Sequence, residues 1–406
     1  FRRYWQPALL AEDLPENDCP PVRVQLLSEK LIAFRDTAGN YGLIDEFCPH
    51  RRVSLWFGRN EDHGLRCAYH GWKFDVTGQC VEVPSEPPES RFCEKVRLTS
   101  YPLIRIGDVL WTYMGPPELR PPLPEWEFAL VPPEQTYTSK RLQECNWLQA
   151  LEGGIDSSHV TWLHGASLKH DPLFIGAKGN QYNFGDAKPV FEVVEHEGGL
   201  LIGVRRNAED GKFYWRITPW VMPSFTMIPP RGDYPVHGHF WVPIDDENCW
   251  AWSYDFHPTR ALTAEERQAM IDGHGIHTRC IPGTYRPLAN RDNDYLIDRA
   301  GQKAGKTFSG VEGIAMQDAS LQESMGPIVD RSKEHLVGTD RGIIMARRRL
   351  HEAALALRDH GEAPPGVDPA HHRIRSVSVV LPPDCPFAEA CRSELTAGLG
   401  TAHATV

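Results

Sequence analysis

The sequence predicts an α+β protein of two domains, an all-β N-terminal domain followed by a larger antiparallel sheet with helices. Three observations predict it. Short β-rich runs separated by turn residues fill positions 20–115, a proline-dense stretch interrupts them, and helical and strand-like segments follow. At 406 residues the chain is long enough for two hydrophobic cores.

Residues 22–27, 31–35 and 41–46 are β-rich runs parted by Ser-Glu and Ala-Gly-Asn turns. Further strands are expected at 71–76, 80–83 and 108–114, with Gly78-Gln79 in a hairpin turn. Positions 115–124 carry five prolines and form a stiff extended connector. The boundary belongs there, giving domains of 1–118 and 119–406. In the second domain 143–165 reads as helix and 188–256 as a large antiparallel sheet turning at 197–199 and 209–211. Thr263 and Glu266 form a capping-box pattern that opens another helix, and helices are expected at 312–326 and 340–358. The last forty or so residues show little periodicity and are expected as a tail packing on a neighbour.

Composition narrows the function classes. Apolar residues at 41% and charged residues at 24% are ordinary for a soluble protein, and a net charge of -11 argues against nucleic acid or an anionic membrane as partner. No apolar run approaches the roughly 20 residues that span a bilayer. The opening Phe1-Arg2-Arg3-Tyr4-Trp5 has no signal-peptide pattern, so a cytoplasmic location is expected, and the absence of an initiator Met implies residues ahead of Phe1. Ten cysteines without a secretory pattern do not imply a disulfide framework, and most read as small buried apolar residues.

Two of them stand out. Cys48-Pro49-His50 is followed, after sixteen intervening residues, by Cys67-Ala68-Tyr69-His70. Two thiolates and two imidazoles suit either a tetrahedral zinc or a 2Fe-2S cluster. Zinc sites of this composition usually pair like with like along the chain. Here each loop carries one Cys and one His, which favours a cluster with cysteines on one iron and histidines on the other.

A second constellation lies at 146–164, where Asp156, His159 and His164 follow one another. On a helix Asp156 and His159 share a face, and His164 is within reach if the helix loosens or ends nearby. Two histidines and a carboxylate from elsewhere make the facial triad of non-haem Fe(II) oxygenases, which leaves positions open for O2.

The pattern C-x-H-x16-C-x2-H with Gly71-Trp72-Lys73-Phe74 resembles the Rieske signature, and 146–164 resembles the iron-binding region of Rieske non-haem iron oxygenases. Residues 46–51, 56–61 and 326–331 look most like the phthalate dioxygenase group of that family. The resemblance implies an all-β Rieske domain and a helix-grip catalytic domain. It implies a 2Fe-2S cluster on Cys48, His50, Cys67 and His70, and a mononuclear Fe(II) on His159 and His164. Asp318, in the pair Gln317-Asp318, is the chosen carboxylate ligand, ahead of Glu323 and Asp330. Asp156 is then no ligand but the link between His159 and His70 of the partner subunit, in a trimer or a hexamer of paired trimers. An aromatic carboxylate would be cis-dihydroxylated with O2 and electrons from an NAD(P)H-dependent reductase carrying FMN and a plant-type 2Fe-2S centre.

Arg52 departs from the family, which often has a small residue there. Carboxylate recognition calls for cations, and the candidates are Lys178, Arg205, Arg206, Arg216 and Arg231, with Lys178 and Arg216 first. Arg205 and Arg206 adjoin on a strand, so only one faces inward. Two other readings are a Rieske monooxygenase acting on an aryl ether or phenoxybenzoate-type substrate, and a non-catalytic Rieske electron carrier or zinc protein. The length of chain beyond the prolines argues against the last.

Overall fold

A computed structural model describes residues 1–406, the side chain of Pro88 aside. The chain divides into two compact units, Phe1–Pro121 with Pro243–Asp245, and Pro122–Val242 with Asp246–Val406.

The first unit is built from strands β1 (Trp5–Leu10), β2 (Val22–Leu26), β3 (Glu29–Arg35), β4 (Tyr41–Asp45), β5 (Arg59–Glu61), β6 (Gly64–Arg66), β7 (Lys73–Phe74), β8 (Cys80–Glu82), β9 (Ser100–Ile106) and β10 (Val109–Tyr113). They form a six-stranded sheet ordered β1-β10-β9-β4-β3-β2 and a four-stranded sheet ordered β5-β6-β7-β8. Ile32, Phe34, Ile44, Leu65 and Phe74 pack in a core that also takes in Cys48 and Cys67. The β7–β8 turn needs Gly78, whose φ is +77° and whose added Cβ would lie 2.5 Å from the Leu98 carbonyl oxygen. Sequence reading missed β1, because all six of its residues are buried and no alternation betrays it. The strand expected at 71–76 shrinks to Lys73–Phe74, since the residues ahead of it curl into a loop.

The second unit centres on an eight-stranded antiparallel sheet. Its strands are β11 (Thr136–Gln143), β12 (Val190–His196), β13 (Gly199–Asn207), β14 (Phe213–Val221), β15 (Phe225–Ile228), β16 (Val236–Pro243), β17 (Cys249–Phe256) and β18 (Val377–Leu381). The order is β11-β17-β16-β15-β14-β13-β12, with β18 also on β14. β15 pairs with β14 only at Trp220 and Val221, and β18 takes the stretch from Phe213 to Ile217. Part of the C-terminal region is therefore a strand of this chain's own sheet. A five-residue strand is too short to show its period, and its partner lies far away in sequence. Arg375, just before β18, is buried and donates from Nε to Glu127 Oε2 at 2.8 Å and from Nη2 to the carbonyls of Gly398 and Thr401.

The helices are α1 (Glu127–Leu130), α2 (Trp147–Ile155), α3 (His159–Trp162), α4 (Gly179–Gly185), α5 (Ala264–Ile271), α6 (Arg299–Lys303), α7 (Ile314–Ser324), α8 (Arg341–His360) and α9 (Phe387–Ala390). The capping box opens α5, with Glu266 N donating to Thr263 Oγ1 at 3.1 Å and Thr263 N to Glu266 Oε2 at 2.8 Å. α2 and α7 lie side by side, joined by Gln149 Nε2 donating to the Gln322 carbonyl at 3.0 Å. Glu152 on α2 accepts from Arg331 at 3.0 Å and from Arg347 Nε at 2.7 Å.

The helix expected over 143–165 is broken. α2 ends at Ile155, and Asp156 is extended at φ -97° and ψ 119°. Its Oδ1 accepts from Ser158 N at 2.7 Å and Ser158 Oγ at 2.6 Å, a local turn that competes with helical bonding before α3 restarts at His159. Asp156 and His159 meet because of this break, not because they share a helical face.

Candidate metal centres

Two loops of the first unit have the same backbone plan. Cys48 N donates to the Val53 carbonyl at 2.9 Å and Arg52 N to the Cys48 carbonyl at 2.8 Å. In the other loop Cys67 N donates to Trp72 at 2.8 Å and Gly71 N to Cys67 at 3.0 Å. Each loop turns on a residue with positive φ, Arg52 at +59° and Gly71 at +75°. That equivalence explains the preference for a small residue at position 52, since an L side chain there occupies the left-handed region. Arg52 offsets part of the cost by donating to the Phe47 carbonyl at 3.2 Å and lying over the Phe47 ring.

The paired loops bring together the four predicted ligands. Cys48 and Cys67 are buried at 2% and 3% exposure, whereas His50 and His70 are exposed. The two imidazole centroids are 4.4 Å apart, and His50 stacks on Trp72 at 4.7 Å. The hydrogen bond between the thiols holds Cys67 well below the usual thiol range and pushes Cys48 up. Two sulfurs inside and two imidazoles outside fit a cluster whose histidine side faces solvent.

In the second unit α3 and α7 converge. His159, His164 and Asp318 each offer a ligand atom within 4.8 Å of the other two. His164 Nε2 lies 3.1 Å and His159 Nε2 3.6 Å from Asp318 Oδ1. Each Nε2 is free for a metal because the opposite ring nitrogen is engaged. His159 Nδ1 donates to Asp156 Oδ2 at 3.2 Å, and His164 Nδ1 to Gln317 Oε1 at 2.9 Å. Gln317 is fixed in turn, its Nε2 donating to Ser167 Oγ at 2.8 Å and the Val311 carbonyl at 3.0 Å. Burial opposes ionisation of Asp318, yet His164 and His159 hold its carboxyl at about 2. Burial would lower His159, but Asp156 and Asp318 outweigh it and raise the imidazole. Three protein ligands on one side, two imidazoles and a carboxylate, suit a facial Fe(II) site. Asp330 and Glu323 are elsewhere engaged, the former capping its own turn and the latter accepting from Tyr295.

The triad opens on a cavity between the sheet and α2, α3 and α7. Its apolar wall includes Phe174, Ile228, Trp241, Ile276 and Ile314, and its polar wall includes His237, His239, Arg216 and Arg231. Gly154 lets α2 approach, since a Cβ there would lie 2.3 Å from the Trp241 ring. Burial holds His239 down at about 3, with the Arg141 charge adding to it.

The Rieske 2Fe-2S domain family matches residues 4–102 and the LigXa C-terminal domain like family residues 112–389. The 3-chlorobenzoate-3,4-dioxygenase oxygenase subunit of Comamonas testosteroni is 38% identical over 91% of this chain and 88% of its own length. The chain is a Rieske aromatic-ring-hydroxylating oxygenase. The phthalate 4,5-dioxygenase oxygenase subunit of Pseudomonas putida is similarly related to this oxygenase, at 39% identity over 88% of this chain and 82% of its own. Dicamba monooxygenase bound to dicamba shares the fold, with a TM-score of 0.60 at 17% identity over 86% of this chain and 96% of its own.

Of the cations singled out from the sequence, Arg216 and Arg231 line the oxygenase cavity. Lys178 does not: it sits at the start of α4, 61% exposed and 3.9 Å from Glu209, on a side chain that points to solvent. Arg205 faces Glu192 and Phe213, and buried Arg206 donates to the carbonyls of Asp186 and Ser157. Sequence reading missed Arg141, on β11 beside Lys140, where nothing local marks it as inward. It also missed His237 and His239, although His237, His239 and Trp241 alternate along β16 and so share a face. No helix among the described residues is long and apolar enough to cross a membrane.

Proposed function

We propose that this chain is the oxygenase component of an enzyme that cis-dihydroxylates an aromatic carboxylate, using O2 and electrons from an NAD(P)H-dependent reductase. One observation carries it: a histidine–histidine–aspartate triad, His164 buried and the other two half-buried, opens on a largely apolar cavity that also holds arginines without counter-ions among the described residues. A non-catalytic carrier has no use for such a site.

Cys48, His50, Cys67 and His70 would hold the cluster, and His159, His164 and Asp318 the iron. When bound, the cluster supplies single electrons and the iron activates O2. The chain's own residues do the rest. Arg216 and Arg231 bind the substrate carboxylate, a charge-assisted contact in a site screened little by water. The apolar wall seats the ring and excludes solvent. Asp156 fixes the tautomer of His159 by taking its Nδ1 proton in a hydrogen bond, and through a trimer it would connect His159 with His70 of the partner subunit. The reading includes a reductase with FMN and a plant-type 2Fe-2S centre, and a cytoplasmic location.

The test is a panel of aromatic acids with a surrogate reductase, following NADH and O2 against product under 18O2. A dihydrodiol carrying two labelled atoms, formed in step with NADH consumption, is the expected result. A product with a single labelled atom assigns the chain to monooxygenation instead, and no product from any aromatic acid overturns the reading.

A further inference from the structure

The cavity holds more positive charge than one carboxylate requires. Arg141, Arg216 and Arg231 all line it and are only 4%, 3% and 4% exposed. None forms an ion pair among the described residues. Nε of Arg141, Nε of Arg231, and both Nε and Nη1 of Arg216 have no hydrogen-bond partner. Arg141 has one long contact, Nη1 to Ser253 Oγ at 3.4 Å. Buried guanidinium groups are costly unless anions meet them, so three without partners mark places where a ligand supplies the charge.

The three do not form one cluster. Arg216 on β14 and Arg231 just beyond β15 are neighbours, and after burial the Arg216 charge is the largest influence holding Arg231 at about 9. Arg141 lies on β11, four strands away from β14 in the order β11-β17-β16-β15-β14. Both groups reach the same cavity from different sides. Ser253 on β17 ties Arg141 to His239, its Oγ lying 3.4 Å from Arg141 Nη1 and 3.2 Å from His239 Nδ1. Arg231 lies over the Phe174 ring, which packs against His237. The lining that holds the triad therefore carries two cationic poles, one at β11 and one at β14 and the end of β15.

We propose that the substrate is an aromatic ring bearing two acidic groups on non-adjacent carbons, one held by Arg216 and Arg231 and the other by Arg141. This deepens the aromatic-carboxylate reading above and rests on it. Two acidic groups on adjacent carbons would crowd into one pole and leave Arg141 unmatched. A single acid would leave the ring free to pivot about its anchor. A ring held at both ends lies across the triad with its intervening carbons presented, which fixes the position attacked. Arg141 is in this sense a specificity-determining residue.

Calorimetric titration of the metal-loaded enzyme with benzoate, phthalate, isophthalate and terephthalate tests this. Isophthalate or terephthalate is expected to bind roughly tenfold to hundredfold more tightly than benzoate, one charge-assisted contact's worth, with phthalate gaining less. In Arg141→Met that preference shrinks to about threefold or less. The ligand-free variant melts no lower than wild type, because an unmatched buried charge has been removed. Three results overturn the proposal: a wild type that binds benzoate as tightly as any diacid, a variant that keeps the preference, or a variant that melts lower and loses iron. The last would make Arg141 a structural counter-charge to Asp318. Failure of the underlying reading shows differently, as no oxygenated product from any aromatic acid whatever the affinities.

Discussion

Replacing Gln317 with leucine removes the group that orients His164 without touching a ligand. Gln317 is fully buried at 0% exposure and makes hydrogen bonds to His164, Ser167 and Val311 of 2.9, 2.8 and 3.0 Å. A buried neutral hydrogen bond contributes about 1 kcal/mol net, so the loss of three costs about 3 kcal/mol. In a domain of this size that lowers the melting temperature by roughly 5–10 °C. The His164 ring also loses the bond that keeps its proton on Nδ1, and iron affinity falls roughly 10–100-fold. Scanning calorimetry reads the first effect, and iron content after competition with a graded chelator reads the second. Gln317→Glu serves as control, because it keeps an acceptor opposite His164 and should retain iron better than the leucine variant. If Gln317→Leu holds iron as tightly as wild type, the hydrogen bond behind His164 does not organise the site and the reasoning fails.

Asp156→Asn should leave both metals bound while turnover falls by roughly 10–100-fold or more, checked by iron counting beside steady-state rates; wild-type turnover would remove Asp156 from the mechanism. Gly71→Ala places a Cβ 3.1 Å from Pro84 at a φ of +75°, and should destabilise the cluster loops by about 1–2 kcal/mol, seen as earlier thermal bleaching of the visible absorbance. Glu127→Gln leaves buried Arg375 without its anion and should cost about 3–5 kcal/mol at neutral pH. Burial opposes ionisation of Glu127, but Arg375 and then His403 outweigh it and hold the carboxyl below its usual range. Its contribution is therefore present above about pH 4.3 and lost as pH falls through the lowered value. Acid melting curves below that pH should be steeper for wild type than for Glu127→Gln, and parallel curves would count against the linkage.

Much of the metal chemistry was legible because the ligands are rare residue types at short spacing. Cys48, His50, Cys67 and His70 declare themselves through two loops, and His159 and His164 through one segment. Asp318 needed the resemblance, since an aspartate on a helix has many other uses. What stayed hidden depends on contacts across long stretches of chain. Arg141 faces inward only because β11 pairs with β17 in a register that aligns it with Ala251. Lys178 failed as a pocket residue for the converse reason: its basic side chain found Glu209 at the surface. The break at Asp156 was missed because a helical period runs through it, while a local capture of Ser158 by the carboxylate decides the backbone. Arg52 looked like an anomaly and is instead the counterpart of Gly71, a relation visible only once both loops are folded.

The late arrival of β18 bears on how the protein is made. Until Val377–Leu381 emerges, the edge of β14 from Phe213 to Ile217 has no strand beside it on that side. At ordinary rates of ribosomal synthesis that interval lasts on the order of ten to thirty seconds. An open edge of this kind invites pairing with other nascent chains, so slow translation or early termination upstream of position 377 should yield aggregates instead of a partly active enzyme.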